Sequence, residues 1–135
     1  MIWADDTHEY SCSTCRHSGA PCPAAAQLAE RLAAALRLSA PFTAEDFEVT
    51  GSGRLTGCAR SCAALYVAST RAVRVYCDVD GDADPAPLAR FAAAFFGPGA
   101  AGALLGRGGP EQIPCAMVQA LPRARPGAAA QMAGA

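Results

Sequence analysis

The sequence predicts a single α/β domain in which a mixed β-sheet is flanked by helices and followed by a flexible C-terminal tail. Three observations carry that expectation. Short stretches alternate apolar and polar residues as strands do, two longer stretches repeat apolar residues at helical spacing, and 135 residues suffice for one hydrophobic core and little more. The domain is expected over residues 1–122 and the tail over 123–135.

The first strand is expected in "THEYSC", which is bounded by the polar "STCRHSG" and so delivers Cys12 to a loop. Residues 23–38 bring Leu28, Leu32 and Leu36 back at every fourth position, with Glu30, Arg31 and Arg37 turned elsewhere and Pro23 suited to a first helical turn. In "DFEVT", Phe47 and Val49 alternate with acidic and polar neighbours, and the glycines of "GSGRLTG" then end the strand in a loop that reaches Cys58. "LYVAS" and "AVRVYCDV" alternate well, with Val73, Val75, Cys77 and Val79 on one face and Arg74, Tyr76 and Asp78 on the other. They should pair as a hairpin around Ser69 to Arg71, although "ASTRAV" lacks the Gly or Asp on which such hairpins normally turn. Asp84 is placed to cap a helix that starts at Pro85, repeats Leu88, Phe91, Ala92 and Phe95, and stops at Gly97. "QIPCAMVQALP" is expected to pack back on the core, whereas "ARPGAAAQMAGA" has no apolar period. A right-handed crossover through the first strand, helix and strand gives a thioredoxin-like arrangement, with both cysteine-bearing loops at one end of the sheet.

Composition narrows the chemistry. Eleven basic residues, all Arg, stand against 12 acidic ones, and a net charge of -1 leaves no electrostatic footprint for nucleic acid or an anionic membrane. "MIWADDTHEY" has acids where a signal peptide has bases, and no apolar run approaches the roughly 18 residues of a membrane span, so a cytoplasmic protein is expected. Seven cysteines in a reducing compartment make a poor disulfide framework, and their spacing reads as metal binding or redox chemistry.

Soft thiolates can hold either zinc or an iron-sulfur cluster. Two-knuckle zinc sites usually pair Cys-x2-Cys with Cys-x2-Cys, but here the second pair is Cys58-x3-Cys62. A two-iron cluster is wider, and a long loop on one side with a tighter turn on the other suits it better. "TGCARSC" followed by a hairpin, with cysteines between first strand and first helix, resembles the thioredoxin-like two-iron ferredoxins. "CSTCR", "CARSC" and "CDVD" are similar to a bacterial family of predicted metal-binding proteins of that ferredoxin type, over residues 10–96. The resemblance implies a [2Fe-2S] cluster and an electron carrier, with a protein redox partner, a homodimer as a candidate assembly, and cobalt or cobalamin metabolism as a candidate setting. It implies Cys58 and Cys62 as ligands, with Cys12 as the third. The fourth is Cys15 on the family pattern, with Cys22 as the alternative on the longer ferredoxin spacing. A thiolate at a helix start, as at Cys22, gains from the positive end of the helix dipole, but the flanking Pro21 and Pro23 remove amide donors.

Other residues read differently. Cys77 and Cys115 lie in apolar stretches and are expected to be plain core. His8 and His17 flank the first cluster and read as surface histidines rather than nitrogen ligands. Arg60 either tunes an anionic centre or is simply solvated. Two alternatives keep the thiols: a thiol-disulfide oxidoreductase using Cys12 and Cys15, and a zinc-stapled interaction module. The first lacks a proline between Pro41 and Pro85 where a thioredoxin site keeps one, and six residues separate Cys15 from Cys22 at the helix start. "DVDGDAD" is no calcium loop, because Ala89 stands where the closing acid belongs.

Overall fold

The computed structural model describes residues 1–97 and 110–123. Its sheet has six strands: β1 (Ile2–Ala4), β2 (His8–Cys12), β3 (Glu48–Arg54), β4 (Ala63–Ser69), β5 (Val73–Cys77) and β6 (Ala116–Pro122). Helix α1 (Pro23–Ser39) packs on one face and α2 (Pro85–Phe96) on the other, so the α/β class is borne out as three layers.

The sheet is not mixed. Its order is β1-β2-β6-β5-β4-β3, and every neighbouring pair is antiparallel. β2 and β3, on either side of α1, run the same way but stand apart, with β6, β5 and β4 between them. The cause lies in what each strand can bury. Residues Ala116 to Ala120 of β6 are buried in succession, as a strand covered on both faces must be, so β6 takes the place beside β2. β3 carries Glu48, Arg54 and two glycines and belongs at an edge.

The β4–β5 hairpin turns where expected, without Gly or Asp. Ser69 supplies the missing chemistry: its hydroxyl accepts from the amides of Arg71 and Ala72 at 3.2 and 3.3 Å, while its own amide donates to the Ala72 carbonyl. At the far end of β5 the alternation fails at Asp78. There φ is +64°, and the amides of Asp78 and Val79 both donate to the Ala63 carbonyl, at 2.6 and 3.4 Å. This bulge moves Val79 from the expected face with Val75 to the α2 side, beside Tyr76, Leu88 and Met117.

Helix α1 buries Ala25, Ala29, Ala33 and Leu36, leaving Leu28 and Leu32 half-buried at the flank of the expected stripe. Helix α2 begins as expected, with the Asp84 carboxylate accepting from the Ala86 amide at 3.0 Å, and ends at Gly97. Leu65 and Leu88, each 1 % exposed, contribute about 1.5–3 kcal/mol apiece by burial on this side. β1 had no counterpart among the expected elements. It is held by Trp3, which stacks on Tyr10 at 5.1 Å and donates its indole N–H to Glu30 of α1. At the other edge Tyr66 lays its ring over Gly51, its cross-strand partner, where a β-carbon would collide with it.

No described helix is long and apolar enough to cross a membrane. Arg123, the first residue of the expected tail, is tied down: its amide donates to the Thr7 carbonyl and its guanidinium to that of Asp5. The remainder of that tail, 124–135, lies outside the described residues.

Candidate metal centre

Two loops and one strand entry converge at the end of the sheet where β2 stops. Cys12 closes β2 opposite Val118. The chain is then pinned to β6, because Ser13 donates its amide to the Met117 carbonyl while its hydroxyl accepts from the Met117 amide, both at 2.9 Å. A small loop follows, closed on Cys15: its amide donates to the Ala20 carbonyl, its carbonyl accepts from Gly19, and Gly19 takes φ +73°. The amides of Ser18 and His17 and the Ser18 hydroxyl are thereby directed at the Cys15 sulfur.

The second loop joins β3 to β4. It is closed by the Leu55 amide on the Cys62 carbonyl and by the Ser61 amide on the Cys58 carbonyl, both at 3.0 Å, with Gly57 and Ser61 at positive φ. Arg54 braces it through a 2.8 Å bond to the Ser61 carbonyl. Here too a cysteine heads the turn, and the amides of Cys62, Arg60 and Ser61 point at the Cys58 sulfur.

The strand entry is Cys115, just before β6. Its amide donates to the Cys77 carbonyl, its carbonyl accepts from Arg16, and its sulfur lies 3.7 Å from that of Cys15. His17 lies between the loops, with Nδ1 3.7 Å from the Cys62 sulfur and Nε2 3.8 Å from an Asp78 carboxylate oxygen. The donor atoms of Cys15, His17 and Cys115 all lie within 4.8 Å of one another. A cleft of about 300 Å³ opens beside them, lined by Cys15, His17, Cys22, Cys58 and the exposed Arg60 among others. A larger hollow of about 370 Å³, between the start of α2 and Gln112, has neither cysteine nor histidine in its lining.

All seven cysteines are free thiols, and all fall in the α1-side cluster, six buried and Cys58 half-buried. Their protonation differs with their surroundings. Burial raises the Cys15 pKa, but the hydrogen bonds from Ser18, His17 and Cys115 outweigh it and leave the thiol below its ordinary value. Amides from Cys62 and Arg60 likewise lower Cys58. Cys62 is pushed up to about 11 by burial, then by its hydrogen bond to Cys58 and the nearby charge of Cys58, Asp78 and Cys115. Cys77 is raised chiefly by burial.

Among the sequence-predicted ligands, Cys15 and Cys58 thus head the two loops, and Cys62 closes the second against Cys58 and His17. Cys22 caps the start of α1 and lines the same cleft, so both candidates for the fourth place face it. Cys12 shares the buried cluster but is not part of the Cys15–His17–Cys115 triangle. The sequence reading missed the nearness of Cys115 and of His17. Cys115 is separated from Cys15 by 100 positions, and its one local signal is that it stands at the start of an apolar run. No family model, no curated protein and no solved structure matches the chain, so its function is read from the site itself.

Proposed function

We propose that the chain is a metal-binding protein whose thiolates hold a [2Fe-2S] cluster at the loop end of the sheet and use it to carry electrons to a protein partner. One observation carries this reading: the two turns headed by Cys15 and Cys58 face one cleft, with Cys22 in its lining and the Cys62 sulfur 3.7 Å from His17. Metal ligands must be thiolates, and amides directed at sulfur stabilise the charged form before any metal arrives. Cys58 and Cys62 supply one side, with Cys15 and Cys12 or Cys22 on the other. A centre whose coordination places are all filled by thiolates has no open position for substrate, which leaves outer-sphere electron transfer as its chemistry. Arg60, exposed at the cleft, would meet an acidic partner in a small, salt-sensitive encounter.

The resemblance to thioredoxin-like ferredoxins supports the cluster through the cysteine-bearing loops. The strand order departs from that fold's parallel opening, so the site carries the reading more than the sheet does. A cytoplasmic setting suits seven unpaired thiols. A zinc site is the second reading, favoured by the mixed sulfur and nitrogen triangle, which suits a single ion. The thiol-disulfide reading is weakened because α1 starts after Cys22, leaving Cys12 and Cys15 without a helix N-terminus to activate them.

Protein purified without oxygen should contain iron and acid-labile sulfide in equal amounts and show a reversible one-electron step. Stoichiometric zinc without sulfide, in protein made under iron-replete conditions, would replace the cluster by the zinc reading.

A further inference from the structure

We infer that Cys115 is a metal ligand paired with Cys15 on the same ion, so that metal binding ties the entry of β6 to the loop after β2. The inference rests on the metal-binding reading above and deepens it by giving Cys115, in place of Cys12 or Cys22, the position beside Cys15; neither the cysteine spacing nor the family resemblance includes Cys115.

The geometry is the first argument. Tetrahedral coordination at a zinc–sulfur distance of about 2.3 Å sets two thiolates on one ion about 3.8 Å apart. The Cys15 and Cys115 sulfurs are 3.7 Å apart. His17 offers a nitrogen within 4.8 Å of both, and such a donor set takes zinc or iron in preference to the hard cations calcium and magnesium.

The second argument is that the main chain on either side of both cysteines is fixed by hydrogen bonds. The Arg16 amide donates to the Cys115 carbonyl at 3.3 Å, and the Arg16 guanidinium to the Ile113 carbonyl at 3.0 Å. The Cys115 amide in turn donates to Cys77 at 2.9 Å. The pair is therefore preorganised, and both members are buried, at 8 % and 3 % exposure. Two adjacent buried thiolates repel each other strongly, and a divalent cation removes that cost. On binding, the ion forms two metal–sulfur bonds and the two thiol protons pass to solvent, with no change of oxidation state.

Cadmium, a thiophilic divalent probe, tests this on the whole reduced chain. In 113Cd–1H correlation spectra of the wild-type protein, the bound ion should couple to the β-protons of both Cys15 and Cys115. Cys115→Ser should weaken cadmium binding by about tenfold or more, and Cys115→His should restore it in part, while Cys77→Ser, equally buried on the neighbouring strand, should leave it unchanged. Bound cadmium coupled to other cysteines but not to Cys115 overturns the inference and leaves the metal-binding reading standing. If the chain takes up iron with sulfide but no cadmium, an altered cluster absorption spectrum in Cys115→Ser supports the inference and an unaltered one overturns it. Uptake of neither ends both.

Discussion

Against α1 the sheet presents alanine, valine and cysteine beside one large ring, Tyr10; against α2 it presents leucine, tyrosine and methionine. Both sides are well buried, but they are built for different ends. The α2 side gains its stability from large apolar side chains, which repel water and react with nothing. The α1 side is lined by small residues along Ala25, Ala29 and Ala33, and all seven thiols of the chain gather there. The thiols are thus confined to one face of the sheet.

That division can be broken by substitution. The largest effect expected is complete loss of the proposed metal centre in Cys58→Ser or Cys62→Ser, with Cys15→Ser more damaging than Cys22→Ser and circular dichroism little changed. Metal analysis beside the spectrum checks it, and a variant that unfolds while losing metal would show that the α1 side also holds the fold. The converse belongs to the other face: Leu88→Ala should cost about 2–5 kcal/mol in denaturant unfolding yet leave metal content per folded molecule intact. Metal lost in proportion to stability would mean that the two faces are coupled.

Smaller effects sharpen the contrast. Gly51→Ala forces the Tyr66 ring off its partner strand and should destabilise by about 1–3 kcal/mol, measured by the urea midpoint, with the thiols untouched. Alkaline pH should weaken the α1 side specifically in the metal-free, reduced protein. Cys62 is raised to about 11, and Cys77 is raised by burial, so each titrates higher in the folded chain than in the unfolded one. Their contribution is complete below the ordinary thiol value of 9.0 and is lost as pH rises towards 11. Cys15 and Cys58 are shifted the other way, so their contribution grows as pH rises towards 9.0 and is constant above it, which leaves the fall above 9.0 to Cys62 and Cys77. A urea midpoint that stays flat from below 9.0 to about 11 in wild type, or falls equally in Cys62→Ala with Cys77→Ala, would remove the thiols as its source.

The elements that follow a clear period were legible in the sequence: β2, both helices and the β4–β5 hairpin fall where alternation or helical spacing puts them, whereas β3 begins only at Glu48 and pairs on through Gly51 and Gly53 to Arg54, where the glycines were expected to end it. β6 was under-read for a physical reason. A strand buried on both faces has no polar alternation, so Ala116 to Ala120 look like generic core. With β6 unplaced, the strand order could not follow, and the parallel neighbour expected for β2 was assigned to β3. β1 is three residues long and is held by the contacts of Trp3 with Tyr10 and Glu30, tertiary contacts without a local signature. The same rule divides the candidate site. Cys15, Cys58 and Cys62 announce themselves by short spacing, whereas Cys115 joins them only through the pairing of β6 with β2 and β5.

The position of β6 also sets an order of events during synthesis. It is the last described strand to leave the ribosome, yet it occupies the middle of the sheet. Until it emerges, the β1–β2–α1 segment and the β3–β4–β5–α2 segment have no strand to join them, and β2 and β5 each keep an unpaired edge. Cys115 arrives at the same moment, immediately ahead of the strand. Assembly of the sheet and convergence of the sulfur-bearing segments are therefore one late step, and a nascent chain stalled before it would expose both open edges and ungathered thiols to its surroundings.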